Sequence, residues 1–499
     1  MRRTKTALSL TPCLLAVLFL ALCLVTPACA KPEKAPDKLS FGVFGEVLIY
    51  RATEEPQRTI LMLSAGPWDA KAEQAARALA DMDATVVGID TARLIGPLRG
   101  KAEGCFYQAW EFEGLSKIVQ KNLNFKAYHL PVLVGFGEGA SVAYATFAQA
   151  PKETFSGAIA LGFSPRLGIG KPFCAANGYA FDNATASTTG TGAGTGAGII
   201  MKPVAKPFGS LAIIQGQKDA AFTPEEARTF ASQIPGARVV ELPGQGRPLA
   251  EPGQWRAAML ETLSAIVTLK AVSGKAANGA GVAGAGVAGA DVDDLPLVEV
   301  PAEHPGKTLA VIVTGDGGWA GIDQQIGDIL AGHGVSVVGF NSLKYFWNAR
   351  TPEEMAHDLE LTLKHYGAKW GAERFIVVGY SIGADVMPFM AGRMSKATKD
   401  KLAVVAMLGP GTHTEFEFRL SNWLTEENRP EGHAMIPEME KLLGHPVLLI
   451  CGTEEEGTLC QNYAAPNVKN LLLPGGHHFN KEYGKIALAI LHEAGIAAK

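Results

Sequence analysis

The feature that most constrains the fold of this 499-residue chain is an internal duplication. The two halves contain the same succession of short apolar segments, followed by the same kinds of loop. The matching pairs are Thr59–Trp68 with Ala310–Trp319, Val86–Asp90 with Val337–Asn341, Leu133–Gly139 with Val377–Gly383, Ala158–Pro165 with Val404–Pro410, and Leu211–Gly216 with Val447–Gly452. A series that keeps its order is not expected by chance, so we predict two copies of one fold.

The apolar segments are continuous, and longer amphipathic stretches such as Gln74–Met82 and Ile322–Ala331 separate them. Strands that are apolar on both faces are typical of parallel sheets covered by helices on both sides. The sequence therefore predicts an α/β protein made of two tandem, doubly wound domains.

Low-complexity stretches indicate where these domains end. Ala271–Ala290 consists almost entirely of Ala, Gly and Val, which predicts a flexible linker. The first domain would then span residues 31–270 and the second residues 291–499. A similar tract, Asn183–Gly198, is predicted to be a disordered insertion in the first domain.

The N-terminus has the composition of an export signal. A basic start is followed by the apolar run Ala7–Val25 and by the small-residue cleavage box Ala28–Ala30. We predict a signal peptide over residues 1–30, cleaved to give a periplasmic protein. An uncleaved membrane anchor and a lipoprotein at Cys29 are the alternatives.

The overall composition excludes several classes of protein. With 47% hydrophobic and 19% charged residues, the chain is neither disordered nor fibrous. The net charge of −4 does not indicate a nucleic-acid partner. Four cysteines remain after the predicted cleavage, and an even number in an oxidising compartment suggests one disulfide per half, Cys105–Cys174 and Cys451–Cys460. Four free buried thiols are the alternative.

The clearest chemical motif is Gly379-Tyr-Ser-Ile-Gly383. It follows the predicted strand Phe375–Val378 and precedes a segment that can begin a helix. This is the context of a nucleophile elbow, in which glycines permit a sharp turn that exposes the hydroxyl of Ser381. The domains are therefore expected to resemble α/β hydrolases.

A nucleophilic serine needs a base and an acid that orients it, in the chain order Ser, acid, His for this fold. The acid is expected after the strand Pro446–Ile450, where Glu455 is preferred and Glu454 and Glu456 remain open. The base is expected at His477, with His478 as its neighbour. Two adjacent histidines do not form a metal site alone, so neither a metal nor a cofactor is predicted.

The glycine-rich loop Gly315–Trp319 follows the first strong strand of the second half. A backbone N–H of Asp316 or Gly317, together with that of Ile382, would form an oxyanion hole. A simple tight turn is the alternative.

The first half lacks the equivalent chemistry, since Gly137 replaces the serine and Gln245-Gly-Arg247 replaces the histidine pair. Of the three positions, only that of the acid keeps a suitable residue, Asp219. We predict that this domain is degenerate and that residues 291–499 would be active by themselves.

The segments Gly315-Asp-Gly-Gly-Trp319, Gly379-Tyr-Ser-Ile-Gly-Ala-Asp-Val386 and Gly475-Gly-His-His-Phe479 resemble those of the AcvB/VirJ family of bacterial virulence proteins. The two-part organisation is similar to the long, AcvB type. The resemblance implies a periplasmic hydrolase that cleaves the aminoacyl ester of lysyl-phosphatidylglycerol, with a role in membrane lipid homeostasis and virulence.

The residues themselves indicate only a secreted serine esterase. Asp316 and Asp385, with Glu415 and Glu417 as further candidates, could bind the ammonium groups of a lysyl ester. The expected partner is an aminoacylated phospholipid at the membrane surface. The alternatives are a general secreted esterase, or a periplasmic adaptor that binds secreted virulence proteins.

Overall fold

A computed structural model describes residues 34–100, 103–184, 198–246, 251–266, 292–319, 321–418 and 432–497. The predicted signal peptide and the predicted linker lie outside the described residues. Residues 38–499 belong to one compact unit. No helix among the described residues is long and apolar enough to cross a membrane.

The first domain is built on an eight-stranded sheet with the order β1-β2-β4-β3-β5-β6-β10-β11. Strand β2 runs antiparallel to β4, and the strands from β3 onward pair in parallel. The strands are β1 Asp37–Phe41, β2 Gly45–Arg51, β3 Arg58–Leu63, β4 Ala84–Ile89, β5 Val132–Phe136, β6 Gly157–Leu161, β10 Ser210–Gly216 and β11 Arg238–Leu242.

The second domain repeats this order in seven strands, β12-β14-β13-β15-β16-β19-β20. Strand β12 is antiparallel to β14, and the other neighbours are parallel. The strands are β12 Leu297–Val300, β13 Thr308–Val313, β14 Ser336–Phe340, β15 Arg374–Tyr380, β16 Leu402–Leu408, β19 Val447–Gly452 and β20 Val468–Leu473. The predicted duplication is therefore present strand by strand.

Helices cover both faces of each sheet. In the first domain these are α1 Ala70–Ala80, α2 Thr91–Ile95, α3 Ala109–Asn122, α4 Glu138–Gln149, α5 Pro224–Ala231 and α6 Pro252–Ala265. In the second they are α7 Gly321–Gly332, α8 Ser342–Tyr345, α9 Pro352–Trp370, α10 Ile382–Gly392, α11 Lys396–Lys399, α12 Ile436–Met439, α13 Leu459–Asn462 and α14 Tyr483–Glu493. Alternate residues of β3 enter opposite cores, Leu61 with α3 and α4, and Met62 with α1 and α6. This is the doubly wound arrangement predicted from the continuous apolar strands.

Short antiparallel pairs lie outside the main sheets. They are formed by β7 Arg166–Leu167, β8 Phe181–Ala184 and β9 Gly198–Met201 in the first domain, and by β17 His413–Thr414 and β18 His433–Ala434 in the second. The prediction of a disordered insertion is wrong at its two ends, because Asn183 pairs with Ile199 and Ala184 with Gly198. Residues 185–197 lie outside the described part of the chain.

Both predicted disulfides are present. Cys105 bonds to Cys174 and Cys451 bonds to Cys460. The second one links the end of β19 to α13, so it closes the loop that contains the three candidate acidic residues Glu454, Glu455 and Glu456.

The two domains share an apolar core. Tyr128 and Leu130 of the first domain pack with Leu343, Trp347 and Phe418 of the second, and each is at most 4% exposed. Separating the domains would expose this surface to water at a cost of roughly 25 cal/mol per Å². Activity of residues 291–499 by themselves stays a prediction, and it would require that this apolar surface face water.

Candidate active site

Ser381 occupies a sharp turn between β15 and α10. Its backbone has φ 55° and ψ −123°, a strained conformation for a residue with a side chain. A Cβ on Gly379 would lie 2.3 Å from the Gly383 carbonyl oxygen, and one on Gly383 would lie 2.1 Å from that of Val313. Both glycines of the motif are therefore required, because the helix begins almost in contact with the strand ends.

Glu455 and His477 follow neighbouring strands, β19 and β20, and meet at the same edge of the sheet. His477 Nδ1 lies 2.6 Å from Glu455 Oε1, and Glu455 Oε2 accepts a 2.6 Å hydrogen bond from the Gly452 N–H. The side chain of Glu455 is 11% exposed, whereas Glu454 and Glu456 are exposed residues. Of the three candidates left open by the sequence, Glu455 is the one hydrogen-bonded to His477.

The electrostatic surroundings favour the protonated form of His477. Burial by itself would lower its pKa, but the hydrogen bond and charge of Glu455 outweigh this, and the charges of Asp385 and Asp316 act in the same direction. The net result is a pKa above the usual value for histidine. A partner that holds Nδ1 leaves Nε2 to exchange a proton with a substrate or a nucleophile.

Tyr380 orders both histidines, which the sequence analysis did not anticipate. Its ring stacks on His477 with centroids 5.2 Å apart. Its hydroxyl donates to the His477 carbonyl oxygen at 3.3 Å and lies 3.1 Å from His478 Nδ1. His478 is thus held by Tyr380, and burial lowers its pKa. The sequence feature that could have indicated a role for Tyr380 is its position directly before Ser381 in the motif.

Gly409 is a second residue that sequence reasoning missed. It follows β16 with φ +61°, and a Cβ there would lie 2.6 Å from His477 Cε1 and 3.1 Å from Glu455 Oε1. Any side chain would displace the histidine from the acid. A lone glycine after a strand in a glycine-rich sequence gives no signal for this role.

The loop predicted to form an oxyanion hole lies beside the serine. Gly318 N donates to Gly315 O at 3.0 Å and closes a turn around Asp316 and Gly317. A Cβ on Gly315 would lie 3.4 Å from Ser381 Cβ. Ile382 begins α10, so its N–H has no acceptor within the helix. The three predicted donors are therefore on elements that meet at Ser381.

The predicted substrate-binding carboxylates differ in their surroundings. Asp385 Oδ1 accepts a 2.7 Å hydrogen bond from the Gly411 N–H, which ties it to the loop after β16. Glu417 forms an ion pair with Lys121 at 3.2 Å. Asp316 is half-buried in the turn beside Ser381. No group of three His, Cys, Asp or Glu side chains in the described residues is arranged to bind a metal ion.

The sheet order, with one antiparallel strand before the parallel series, and the elbow between β15 and α10 define an α/β-hydrolase fold. Residues 307–497 match the family described as bacterial virulence protein (VirJ). The resemblance predicted from the motifs is confirmed over these residues. A comparison with curated proteins gives no match.

Solved structures with a similar course of chain include hydrolases. Proline iminopeptidase of Mycobacterium smegmatis matches with 14% identity over 40% of this chain and 96% of its own, with a TM-score of 0.30. The esterase Pf2001 of Pyrococcus furiosus matches with 15% identity over 40% of this chain and 91% of its own, with a TM-score of 0.29. XC6422 of Xanthomonas campestris, an α/β serine hydrolase without a lid, matches with 15% identity over 47% and 95%, TM-score 0.28. These TM-scores are too low to support an argument, so the fold assignment depends on the strand order of the protein itself.

Proposed function

We propose that the second domain is a serine esterase in which Ser381, His477 and Glu455 act as nucleophile, base and orienting acid. The observation that carries the proposal is the 2.6 Å contact between His477 Nδ1 and Glu455 Oε1 at the sheet edge where the strained Ser381 turn lies. A buried carboxylate on Nδ1 fixes the imidazole and stabilises its cation.

In this mechanism the Ser381 oxygen attacks the ester carbonyl while His477 Nε2 accepts the serine proton. The N–H groups of Ile382 and of Asp316 or Gly317 stabilise the tetrahedral oxyanion. His477 then gives the proton to the departing alcohol oxygen, which leaves an acyl-serine. Water, deprotonated by His477, attacks this intermediate, releases the acid and regenerates the serine.

The substrate we propose is the aminoacyl ester of lysyl-phosphatidylglycerol, cleaved in the periplasm to lysine and phosphatidylglycerol. The match of residues 307–497 to a family of virulence proteins supports this choice, together with the negative charge around the site. The charges of Asp385 and Asp316 act on His477, so both lie within electrostatic reach of an ester bound there. Because Asp385 is hydrogen-bonded to Gly411, Asp316 is the better candidate for an ammonium group.

The test is release of lysine from vesicles of phosphatidylglycerol that contain lysyl-phosphatidylglycerol. The full chain is compared with Ser381→Ala, and p-nitrophenyl butyrate serves as a neutral ester. Serine-dependent lysine release supports the proposal. Turnover of the neutral ester alone would indicate a general esterase, and no serine-dependent turnover of either would overturn the enzymatic proposal in favour of a binding protein.

A further inference from the structure

Helix α3 of the first domain, whose elbow has Gly137 in place of serine, reaches the loop beside Ser381 in the second domain. Lys117 Nζ lies 3.4 Å from the carbonyl oxygen of Gly317, to which it donates a hydrogen bond. The ring of Trp110 covers the same loop, since a Cβ on Gly317 would be 3.8 Å from Trp110 Cζ3. Gly317 is one of the two candidate oxyanion donors in the turn.

Lys117 is an unusual residue for a domain interface because its side chain is 0% exposed. A buried ammonium is unfavourable unless it is paired. Glu113, one helical turn earlier, provides the partner at 3.2 Å. Burial raises the pKa of Glu113, the Lys117 ammonium lowers it, and the charge of Asp316 raises it again. Glu113, Lys117 and Asp316 therefore form one electrostatic group across the two domains.

This contact fixes a particular peptide group of the loop. The peptide between Gly317 and Gly318 donates its N–H to Gly315 within the turn and accepts from Lys117 with its C=O on the opposite side. Hydrogen bonds at both ends resist rotation of this peptide and thereby restrict the directions open to the neighbouring N–H groups of Asp316 and Gly317. Fixed donors are what make an oxyanion hole effective.

The helix that carries Lys117 is itself held against the second domain. Lys121 Nζ donates to the Trp347 carbonyl oxygen at 2.7 Å. Trp347 Nε1 donates to Phe125 O at 2.7 Å, and Asn348 Nδ2 donates to Lys126 O at 3.0 Å. Lys344 also forms an ion pair with Glu153. These contacts are spread over several residues, so the loss of any one of them leaves the others to hold α3 against the second domain.

We propose that Lys117 is a positioning residue of the active site, through which the first domain holds the oxyanion loop in its working conformation. The proposal rests on the serine hydrolase function argued above. It assigns to the first domain a part in the reaction, although that domain has neither nucleophile nor base.

The experiment measures kcat, KM and the rate of inactivation by a fluorophosphonate for the full chain with Lys117→Met. The double variant Lys117→Met/Glu113→Gln avoids an unpaired buried carboxylate. Lys121→Met is the matched control, because it removes a lysine of the same helix that contacts the second domain away from the loop. We expect the Lys117 variants to lose about 10- to 100-fold in kcat and in inactivation rate with KM unchanged, since one oxyanion donor is worth about 10²- to 10³-fold. Lys121→Met should lose thermal stability and keep kcat.

A folded Lys117→Met or double variant with the kcat of the wild type would overturn this inference and leave the serine hydrolase proposal intact. Failure of both variants to fold where Lys121→Met folds would assign Lys117 a role in folding and overturn it as well. A wild-type chain that neither hydrolyses an ester nor reacts with the fluorophosphonate would overturn both proposals.

Discussion

The two domains have the same framework and differ in a few side chains. A Cβ on Gly88 would lie 2.2 Å from the Trp68 ring, and one on Gly339 would lie 2.2 Å from the Trp319 ring. The turn after β5 has φ 54° and ψ −115° at Gly137, nearly the values found at Ser381. The first domain therefore retains the elbow without the nucleophile, above a cavity of about 290 Å³.

The acids at the ends of β10 and β19 show how the same position acquired different roles. The N–H of Asp219 bonds to Gly216 O at 3.0 Å, and that of Glu455 bonds to Gly452 O at 3.1 Å. Glu455 holds His477, whereas Asp219 accepts hydrogen bonds from Gln215 and from the Ala221 backbone. The sequence of this half has Gln245-Gly-Arg247 in place of the histidine pair, and the two hydrogen bonds tie the Asp219 carboxylate to its own loop. The fold tolerates such a change because it is stabilised by buried strands and close glycine contacts, whereas the side chains at the site contribute little to it.

The sharpest test of this comparison exchanges the elbow residues. Ser381→Ala should lower kcat by about 10⁴-fold or more with the same melting temperature, because the nucleophile is lost and the packing is not. Gly137→Ser added to the Ser381→Ala protein should restore no turnover, since the sequence of the first half has Gln245-Gly-Arg247 where the second half has its histidine pair. Both are measured with ester hydrolysis and thermal denaturation. Serine-dependent turnover at residue 137 would mean that the first domain is not degenerate.

The acid loop can be tested by Glu455→Gln, with Glu454→Gln and Glu456→Gln as matched controls. Loss of the orienting carboxylate should cost about 10²- to 10⁴-fold in kcat. The controls should stay within about threefold of the wild type, because their side chains are exposed. A larger loss in Glu454→Gln would place the acid one residue earlier.

Recognition of charge is expected to have a smaller effect. If Asp316 binds an ammonium group, lysyl-phosphatidylglycerol should be preferred over alanyl-phosphatidylglycerol by about 10- to 100-fold in kcat/KM, the equivalent of roughly 1.5–3 kcal/mol. Asp316→Asn should reduce the preference by lowering the lysyl rate more than the alanyl rate, because the alanyl ester has no side-chain ammonium group. A preference that survives both Asp316→Asn and Asp385→Asn would direct attention to Glu415 and Glu417.

The counterpart of Glu455 in the first domain should affect stability alone. Asp219→Asn removes charge from a buried side chain that accepts hydrogen bonds from Gln215 and Ala221. We expect a loss of about 1.5–3 kcal/mol in the free energy of unfolding, with kcat unchanged. Urea denaturation followed by circular dichroism measures the loss of stability. A lower kcat in the fully folded variant would contradict the prediction.

The dependence of activity on pH should distinguish His477 from an ordinary histidine. Because its pKa is raised, the cation persists to higher pH, and kcat/KM should fall as the pH drops through a value above 6.5. Glu455→Gln removes the strongest of the influences that raise the pKa of His477, so the residual activity should extend to lower pH. A pH profile of kcat/KM checks both, and an identical acidic limb in the two proteins would exclude the assigned pair.

Much of the fold and of the site follows from local patterns. Continuous apolar strands identified the parallel sheets, and the repeated order of segments identified two domains. Ser381 was predictable because an elbow requires a strand, two glycines and a helix in direct succession. The histidine was predictable from a glycine turn after the last strand, where His477 is found beside the acid.

Other features depend on contacts between residues far apart in the chain. The choice of Glu455 among three consecutive glutamates depends on how the loops after β19 and β20 face each other, which no local pattern encodes. Gly409 matters only because His477 is brought against it, 68 positions later. The sequence by itself determined two hydrolase-like domains and the elbow turn that carries Ser381. Only the tertiary structure decided that the domains share a core and that Lys117 contacts Gly317, because side chains separated by 200 residues meet only when both sheets are complete and packed together.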